Sequence, residues 1–441
     1  MSQKKNDHFA GTPRHRIRNF KKLLILAYRN LFRNSRRTFF AVLISTSGCA
    51  AICVAIGYYS FSIYSIQELS IRNGFGGSSG SGHLQIQDSR LGDFPERSSL
   101  EFGIDSVESL IAKIMQDSDI DYALPRIEFG GLLASGDKSV PFKGFGISID
   151  QEMKLWGGLA AINPRLHLGE QLLPLRNAKA GIIIGKTLAK SLQAKIGDML
   201  LIYSTTVDGN VNASDVQLQG IMSTGVSETD KYYLLTNIGL AQNLLRTNKI
   251  SLLPVMFKDI NQLDQKTKRL HQILMPSGNP ENFKLIPWNQ DAAFYKSIRD
   301  IFNIIFSFMG SIILIIVLLS CWNIMNMTTM ERIREIGTLR AIGLSRRNIS
   351  AIFFLEALLI GFIGVILGIA LQFIISRVIN ALRIIMPPVP GMSRPYTLQV
   401  YAFTWFHPAI ALGIIAALTL SSLSAWIVIK KFSIVESIEH T

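Results

Sequence analysis

Four long apolar runs stand out in the sequence, and one block of about 235 residues separates the first run from the second. An α-helix rises 1.5 Å per residue, so about 20 apolar residues cross the ~30 Å hydrocarbon core of a bilayer. Each run reaches or exceeds that length, which predicts four transmembrane helices with one large domain on one side of the membrane. The runs are Phe39–Ile63, Ile301–Trp322, Phe353–Ile375 and Ala409–Ile429.

The long block combines strand-like and helix-like patterns. A strand at GHLQIQ is followed by helical spacing from Val107 to Ile114, then by the extended segments DYALPRIEFGGLLA and VPFKGFGIS. Later come LLPVMF, a helix through Leu263 and Leu270, and FKLIPW. This order favours a split ferredoxin-like sandwich. Residues 151–247 interrupt it with a short helix and two extended runs around Asp208-Gly209, a good hairpin signal. We therefore expect an α+β domain with a smaller, β-rich insert.

These patterns predict the fold class and the domain order. The class is a membrane α-helical protein with four transmembrane helices and a large α+β extracytoplasmic domain between the first and second. The expected segments are a basic N-terminus with an amphipathic helix at 1–38, transmembrane helices at 39–63, 301–330, 351–375 and 409–429, the outer domain at 64–300 with its insert at 151–247, loops at 331–350 and 376–408, and a tail at 430–441.

The net charge of +14 suggests a nucleic-acid protein until the charges are mapped. Residues 1–37 hold eleven Lys/Arg and one acid, whereas 64–300 hold 24 basic and 25 acidic residues. The 331–350 segment has five basic residues and two acids, and the tail adds Lys430 and Lys431. Because Lys/Arg-rich flanks stay cytoplasmic, both termini and the 331–350 loop are predicted inside, with the large domain outside. We expect a multi-pass protein of a bacterial inner membrane and no nucleic-acid partner.

The basic segment at 20–37 leaves two interpretations open. Its mixture of leucines with Lys and Arg suits an amphipathic helix along the inner membrane surface, and it equally suits a cytoplasmic continuation of the first span.

Candidate catalytic and metal-binding patterns are weak. The segment from Gly181 to Thr187 resembles a phosphate-binding loop, but three residues separate Gly181 from Gly185 where the pattern needs four. A strand entering a short helix explains it better. The histidines show no metal-ligand spacing, and the three cysteines lie in predicted spans. We expect no catalytic residue, no metal and no cofactor in this chain.

The third span contains an acid and several glycines. Glu356 is predicted in its first turn, where it could pair with Arg346 or Arg347, take part in coupling, or serve in a proton relay. An acid in a span is costly and is therefore a functional hypothesis. Glycines allow close approach of membrane helices. We expect helix packing at Gly361, Gly364 and Gly368.

The most informative stretch is MERIREIGTLRAIGLSRRNISAIFFLEALLIGFIGVILGI at 330–369. It predicts a short helix from Glu331 to Ala341 that ends at Gly343. Glu331 and Glu335 share one face, and Ile336, Leu339 and Ile342 form an apolar face. A short charged helix between two spans suits docking of a soluble partner, although a solvated loop is the alternative.

This stretch resembles the permeases of the MacB/FtsX/LolC–LolE superfamily of ABC transporters, as do the four-span layout and the large first outer loop. GHLQIQ and GKTLAKSLQAKIGD are most similar to the lipoprotein-releasing, LolE-like branch. The resemblance implies that the short helix docks on a cytosolic ABC ATPase, which would bind the ATP as a separate subunit. The residues implied in this coupling are Glu331, Arg334, Glu335, Arg340 and Gly343.

The resemblance also implies a dimer, homo- or heteromeric, with a second permease. The cargo it favours is a lipid-anchored protein or another amphiphile. Two alternatives stay open: efflux of peptides or drugs, and an FtsX-like signalling role in which the outer domain activates a cell-wall hydrolase. The chain itself is expected to be a transporter permease subunit without its own ATPase site.

Overall fold

The computed structural model describes residues 13–33, 35–74, 80–92, 102–161, 169–274, 283–387 and 395–431. Its internal contacts divide the chain into two units. The helical unit comprises Met1–Phe61, Ile301–Ile384 and Leu398–Thr441, and the α+β unit comprises Ser62–Asp300 and Ile385–Thr397.

The helices are α1 (Pro13–Arg33), α2 (Ser35–Asn73), α3 (Val107–Ile114), α4 (Ile149–Gly157), α5 (Leu173–Arg176), α6 (Lys186–Leu192), α7 (Ile238–Leu245), α8 (Leu263–Leu274), α9 (Trp288–Asp291), α10 (Ala293–Glu331), α11 (Ile333–Ala341), α12 (Arg346–Leu382), α13 (His407–Ser421) and α14 (Leu423–Lys431). The strands are β1 (Leu84–Asp88), β2 (Ile120–Ala123), β3 (Arg126–Ser135), β4 (Lys138–Ile147), β5 (Gly181–Gly185), β6 (Met199–Thr205), β7 (Val211–Met222), β8 (Tyr233–Asn237), β9 (Leu252–Phe257), β10 (Phe283–Pro287), β11 (Ile385–Met386) and β12 (Tyr396–Thr397).

Among the described residues, four helical segments are long and apolar enough to cross a membrane: Ser35–Asn73, Tyr295–Glu331, Arg346–Leu382 and His407–Lys431. The α+β domain lies in sequence between the first and second. This confirms the predicted fold class. The helices are longer than the apolar runs, because polar residues continue the helical backbone at both ends.

The N-terminal helix α1 is distinct from the first candidate span. It ends at Arg33, and α2 begins at Ser35. The side chains of Ala27 and Leu31 are buried, and Ala27 packs with Ile352 and Leu355 of α12. Thr38 Oγ1 of α2 donates to the Leu31 carbonyl at 3.0 Å, a contact between residues seven apart that a straight continuous helix does not permit. The contacts of α1 therefore favour the amphipathic-helix interpretation over a straight continuation of the first span.

The first lobe of the α+β unit is the predicted split ferredoxin-like sandwich. Strand β1 lies between β10 and β9, with both pairings antiparallel, and β2 pairs with the other edge of β9. The resulting order, β10-β1-β9-β2, is joined by α3 and α8, which pack together against this sheet. Leu84, Ile86 and Leu253 are fully buried in its core.

The second lobe is a six-stranded barrel. Its strands follow the order β3-β4-β8-β5-β7-β6, and β6 pairs back onto β3 through residues 131–134. Gly131 permits this closure, because a Cβ there would lie 1.8 Å from the Tyr203 carbonyl oxygen. Closure leaves the barrel without a long free edge. The predicted hairpin is confirmed, with β6 and β7 paired around Gly209 at φ +82°.

The boundary of the insert differs from the prediction. Strands β3 and β4 were expected in the first lobe, with the insert at 151–247, but they pair with each other and with β6 and β8 of the barrel. Only Arg126 of β3 is paired with β9, opposite Leu252. The inserted lobe therefore already begins at β3. Local periodicity identified these strands, whereas the partners of β4 on β8 lie 90 residues away in the sequence.

The segment that resembles a phosphate-binding loop is a strand entering a short helix, as expected. All five residues of β5 are buried, and Lys186 begins the seven-residue α6.

Candidate functional site

The short helix α11 lies between two candidate spans. It begins at Ile333, since Glu331 is the last residue of α10 and Arg332 is the intervening N-cap. The predicted start at Glu331 was therefore two residues early. Gly343 ends the segment in a left-handed conformation, φ +101°, in which the Leu344 N–H donates to the Leu339 carbonyl at 3.0 Å. A residue with a side chain would be strained there.

One face of α11 packs inside the helical unit. Ile333 and Ile336 are buried, and Ile336 joins Met325, Ile349 and Phe353 in one apolar cluster. Leu339 packs at the edge of this cluster. Ile342, predicted on the same face, is instead 73% exposed because it lies beyond the last residue of α11.

Glu356 does not pair with Arg346 or Arg347. Helix α12 begins at Arg346, so Glu356 lies in its third turn, about 15 Å along the axis from the helix start. At that height Glu356 meets Arg332, whose Nη1 lies 3.1 Å from Oε1 and 3.2 Å from Oε2. Asn30 Nδ2 of α1 donates to Oε1 at 2.6 Å. The prediction of Arg346 or Arg347 as the partner was wrong.

These contacts extend to the surface. Arg332 Nε also donates to Glu335 Oε2 at 3.1 Å, and Arg33 of α1 forms a salt bridge with the same carboxylate. The guanidinium of Arg332 lies over the Phe353 ring, 5.1 Å from its centroid. We call this set the Arg332 network; its members are Asn30, Arg33, Arg332, Glu335 and Glu356.

Burial decreases along the Arg332 network. The side chains of Glu356 and Arg332 are 7% and 11% exposed, whereas those of Glu335 and Arg33 are 47% and 55% exposed. A separate ion pair joins Arg37 of α2 to Glu331 at the end of α10. The network thus links α1, α11 and α12, with a buried charge pair at one end and a solvated pair at the other.

The remaining predicted coupling residues lie on the accessible side of α11. Arg334 is exposed, and Gly343 is exposed in the turn. Arg340 is partly buried; this burial, together with the nearby Arg346, lowers the pKa of its guanidinium. Glu331 and Glu335, predicted to face a partner, form ion pairs with Arg37 and Arg33 of this chain, and their side chains remain 44% and 47% exposed.

Beside Glu356 lies a small cavity of about 20 Å³, enough for one water molecule. Its walls combine the polar side chains of Asn30, Arg37, Thr328 and Glu356 with apolar ones from α1, α2, α10 and α12. A water there would find several hydrogen-bonding groups.

The predicted packing glycines lie at two helix contacts. A Cβ at Gly364 would be 2.1 Å from Ser45 Oγ, and one at Gly368 would be 2.5 Å from Cys49 Cβ, so both lie against α2. A Cβ at Gly361 would be 3.3 Å from Leu418 of α13.

Four residues of this region were missed by sequence reasoning: Asn30, Arg33, Arg37 and Arg332. The spacing of Arg332 and Glu335, three apart on a helix, was an available signal. The other three were visible only as part of a basic N-terminal segment, because their partners lie about 300 residues away.

Comparison with known proteins connects this region to a family. Residues 307–434, which contain α11, α12 and most of the helical unit that follows, match the FtsX-like permease C-terminal family. An ABC transporter permease of Methanocaldococcus jannaschii is 25% identical over 210 residues, covering 47% of this chain and 50% of that protein.

Two further relatives have assigned names. The lipoprotein-releasing system transmembrane protein LolC of Xylella fastidiosa is 23% identical over 286 residues, 62% of this chain and 66% of LolC. The macrolide export ATP-binding/permease protein MacB of Hyphomonas neptunium is 23% identical over 217 residues, 48% of this chain and 33% of MacB. The chain thus spans between a third and two thirds of the length of these relatives.

Among solved structures, the periplasmic region of MacB from Actinobacillus actinomycetemcomitans aligns with 49% of this chain and 91% of its own, at 14% identity and a TM-score of 0.33.

Proposed function

We propose that this chain, a member of the MacB/FtsX/LolC superfamily of ABC transporter permeases, transmits the closure of a cytosolic ATPase to its membrane helices through α11. The family is one of integral membrane permease subunits, and it implies a cytosolic ATPase partner. ATP binding and hydrolysis are assigned to that partner. The α+β unit then changes state on the opposite side of the membrane.

The observation that carries this proposal is the Arg332 network. Helix α11 is only nine residues long and connects α10 to α12. A displacement of α11 by a bound partner is therefore passed on to these two helices. Arg332 at its start contacts Glu356 in the third turn of α12, and Glu335 in its first turn contacts α1. A displacement of α11 must therefore move these helices or break a buried ion pair. A ligand bound to another chain can shift the equilibrium between these two arrangements of α11.

Arg334 is the side chain best placed to meet the ATPase, since it is exposed, whereas Ile333 is buried and Glu335 bonds to Arg33 of this chain. The test is co-purification of the ATPase with Arg334→Glu. Interface hot spots are worth about 2 kcal/mol or more, so ATPase recovery should fall by about tenfold or more. Lys186→Glu, an exposed change of the same sign in the α+β unit, is the control. If Arg334→Glu retains both the ATPase and transport, α11 is not the docking element.

A second permease is proposed to cover α10. Only 11% of the most apolar 18-residue stretch of α10 is buried, against 33–44% of the same stretch in the other three candidate spans. Ile304, Phe308, Ile315 and Leu319 recur at helical spacing and are 55–71% exposed. Cysteine cross-linking at Phe308 between tagged copies tests a homodimer; cross-links only to a different permease would indicate a heterodimer.

The cargo we propose is a lipid-anchored protein, supported by the match to LolC over 62% of this chain. The test is ATP-dependent release of a triacylated lipoprotein from proteoliposomes holding the permease and its ATPase. The same protein without its lipid anchor is the control. ATP-dependent macrolide efflux without lipoprotein release would overturn this cargo in favour of export.

A further inference from the structure

We propose that α1 is a binding element for the anionic phospholipid surface of the bilayer. The proposal rests on α1 itself and on its position beside the apolar runs. It requires neither the ATPase nor a particular cargo, and it holds for either orientation of the chain.

Helix α1 has three distinct sides near its C-terminal end. The first side, with Ala27 and Leu31 buried, packs inside the helical unit. The second side carries Ile25, Tyr28 and Phe32, which are 50%, 54% and 67% exposed. These three residues, spaced three and four apart, form a continuous apolar stripe, and the Tyr28 and Phe32 rings meet edge to face at 5.1 Å. We call this set the α1 stripe.

The third side is basic. Arg29 is exposed, and the side chain of Arg33 is 55% exposed even though it bonds to Glu335. The sequence of α1 contains seven Lys/Arg and no Asp or Glu. A helix with an exposed apolar side and with exposed Arg29 and Arg33 beside it has the composition of helices that lie in the membrane interface.

The contacts of α1 place it near the end of the hydrocarbon region. Its buried side packs with Ile352, Leu355 and Leu359, at the beginning of the apolar run of α12 that starts at Phe353. It is followed by α2, whose own apolar run starts at Phe39. Both neighbours begin their apolar runs at this level, so the α1 stripe lies where acyl chains meet headgroups.

The basic residues of α1 determine which lipid headgroup it prefers. The apolar stripe alone would enter any bilayer surface, whereas Arg29 and the other basic residues gain attraction only from anionic headgroups. A soluble protein covering the same stripe would need apolar residues matched to an acidic rim. The occupant we assign is therefore an anionic phospholipid rather than a protein.

The test uses the full chain in nanodiscs, with Phe32→Cys carrying a fluorescent probe. The three native cysteines are fully or almost fully buried and so do not compete for labelling. Acyl-brominated phosphatidylglycerol and acyl-brominated phosphatidylcholine are compared as quenchers, each as the same minor fraction of a mixed bilayer. The same probe at Val211→Cys, 76% exposed in the α+β unit, is the unquenched control.

We expect quenching at position 32 by both lipids, with phosphatidylglycerol more effective by about fivefold at equal fraction. Arg29→Glu should bring this ratio to about one, and Arg29→Gln should give an intermediate value, while the probe at 211 shows an unchanged fold. Equal quenching by the two lipids in the unmodified helix would overturn anionic recognition. Absence of quenching by either lipid would overturn the membrane assignment, and protection of the probe by added ATPase would identify a protein occupant.

Discussion

Arg332 and Glu356, 24 residues apart in the sequence, form the buried end of the Arg332 network, with Nη1 at 3.1 and 3.2 Å from the two carboxylate oxygens. Both side chains are nearly buried, and the Phe353 ring lies under the guanidinium. Removing either charge therefore leaves the other largely buried and without its ionic partner.

Removing one member of this pair should be strongly destabilising. Arg332→Met leaves Glu356 buried with Asn30 as its remaining partner, and breaking a buried ion pair costs about 3–5 kcal/mol. Arg347→Met, at an exposed position in the first turn of α12, should change stability by less than about 0.5 kcal/mol. The measurement is thermal unfolding in detergent.

The double variant Arg332→Met with Glu356→Gln should lose less stability than the sum of the losses of the two single variants. Simple additivity of the two losses would contradict the pairing.

The sequence located the short helix, its glycine end and the acid at Glu356 within the third span, because these depend on local spacing. It could not identify the partner of Glu356. Arg346 and Arg347 were nearer in sequence than Arg332, but the helix that separates them from Glu356 holds them about 15 Å away. Asn30 and Arg33 reach the same network through the packing of α1 on α12, which no local pattern specifies.

Adding a methyl group at Gly364 should separate α12 from α2. A Cβ there would lie 2.1 Å from Ser45 Oγ and 2.5 Å from Ser45 Cβ, and overpacking costs about 1–3 kcal/mol. Gly413→Ala is the matched control, because no atom from another part of the described chain lies within 4 Å of the Cβ position there. Ser45→Gly should restore much of the stability lost in Gly364→Ala, since both close atoms belong to the Ser45 side chain. Unfolding in detergent measures each step, and absence of rescue would show that the clash lies elsewhere.

The α+β unit should lose stability as the pH falls from about 6.5 toward 4. Burial, followed by the charges of Arg72 and Lys266, lowers the pKa of His83 from 6.5 to about 4. His83 Nδ1 accepts a hydrogen bond from the Phe257 N–H at 3.1 Å, which requires an unprotonated nitrogen. Between these pH values the unfolded chain takes up a proton that the folded chain refuses, so stability decreases with falling pH by up to about 3 kcal/mol.

The check on this pH dependence is a comparison of His83→Gln with His271→Gln, an exposed position on α8. Thermal unfolding of the full chain is followed at several pH values in that range. His83→Gln should flatten the curve relative to the parent protein, whereas His271→Gln should leave its slope unchanged. Identical slopes for the parent and His83→Gln would show that other groups govern acid unfolding.

The fold illustrates the same division between local and distant information. The elements of the ferredoxin-like lobe were predicted in the correct order, because each carries its own periodicity. The barrel was placed too late in the sequence, since β3 and β4 are as regular as the strands of the first lobe. Strands β3 and β4 belong to the barrel because Leu132 pairs with Tyr203 and Phe145 pairs with Leu235, which are contacts between distant segments.

The orientation predicted from the basic flanks can be measured by labelling intact cells. A cysteine at Val211, in the α+β unit, should react with a membrane-impermeant maleimide, and one at exposed Asn348 should react only after lysis. The buried native cysteines give no background. Reaction at position 348 before lysis would reverse the assignment of the two sides.

The exposed end of the Arg332 network should matter for coupling more than for stability. Arg33 and Glu335 are about half exposed, so their salt bridge is worth about 0–1 kcal/mol, and Arg33→Glu should hardly change unfolding. The substitution nevertheless places two acids together where α1 meets α11, and it should separate these helices locally. We expect ATPase activity of the assembled complex to lose its dependence on cargo while ATPase binding persists.

A charge swap tests whether this loss of coupling comes from the contact between α1 and α11. The double variant, Arg33→Glu with Glu335→Arg, restores opposite charges between the two helices, but it also places a second guanidinium beside Arg332. Glu335→Arg alone is the matched control, because it places the same second guanidinium beside Arg332 without restoring opposite charges between α1 and α11. Coupling in the double variant that exceeds the coupling in both single variants assigns the effect to the Arg33–Glu335 contact. Coupling that remains as low as in Arg33→Glu would show that each residue acts through a different partner.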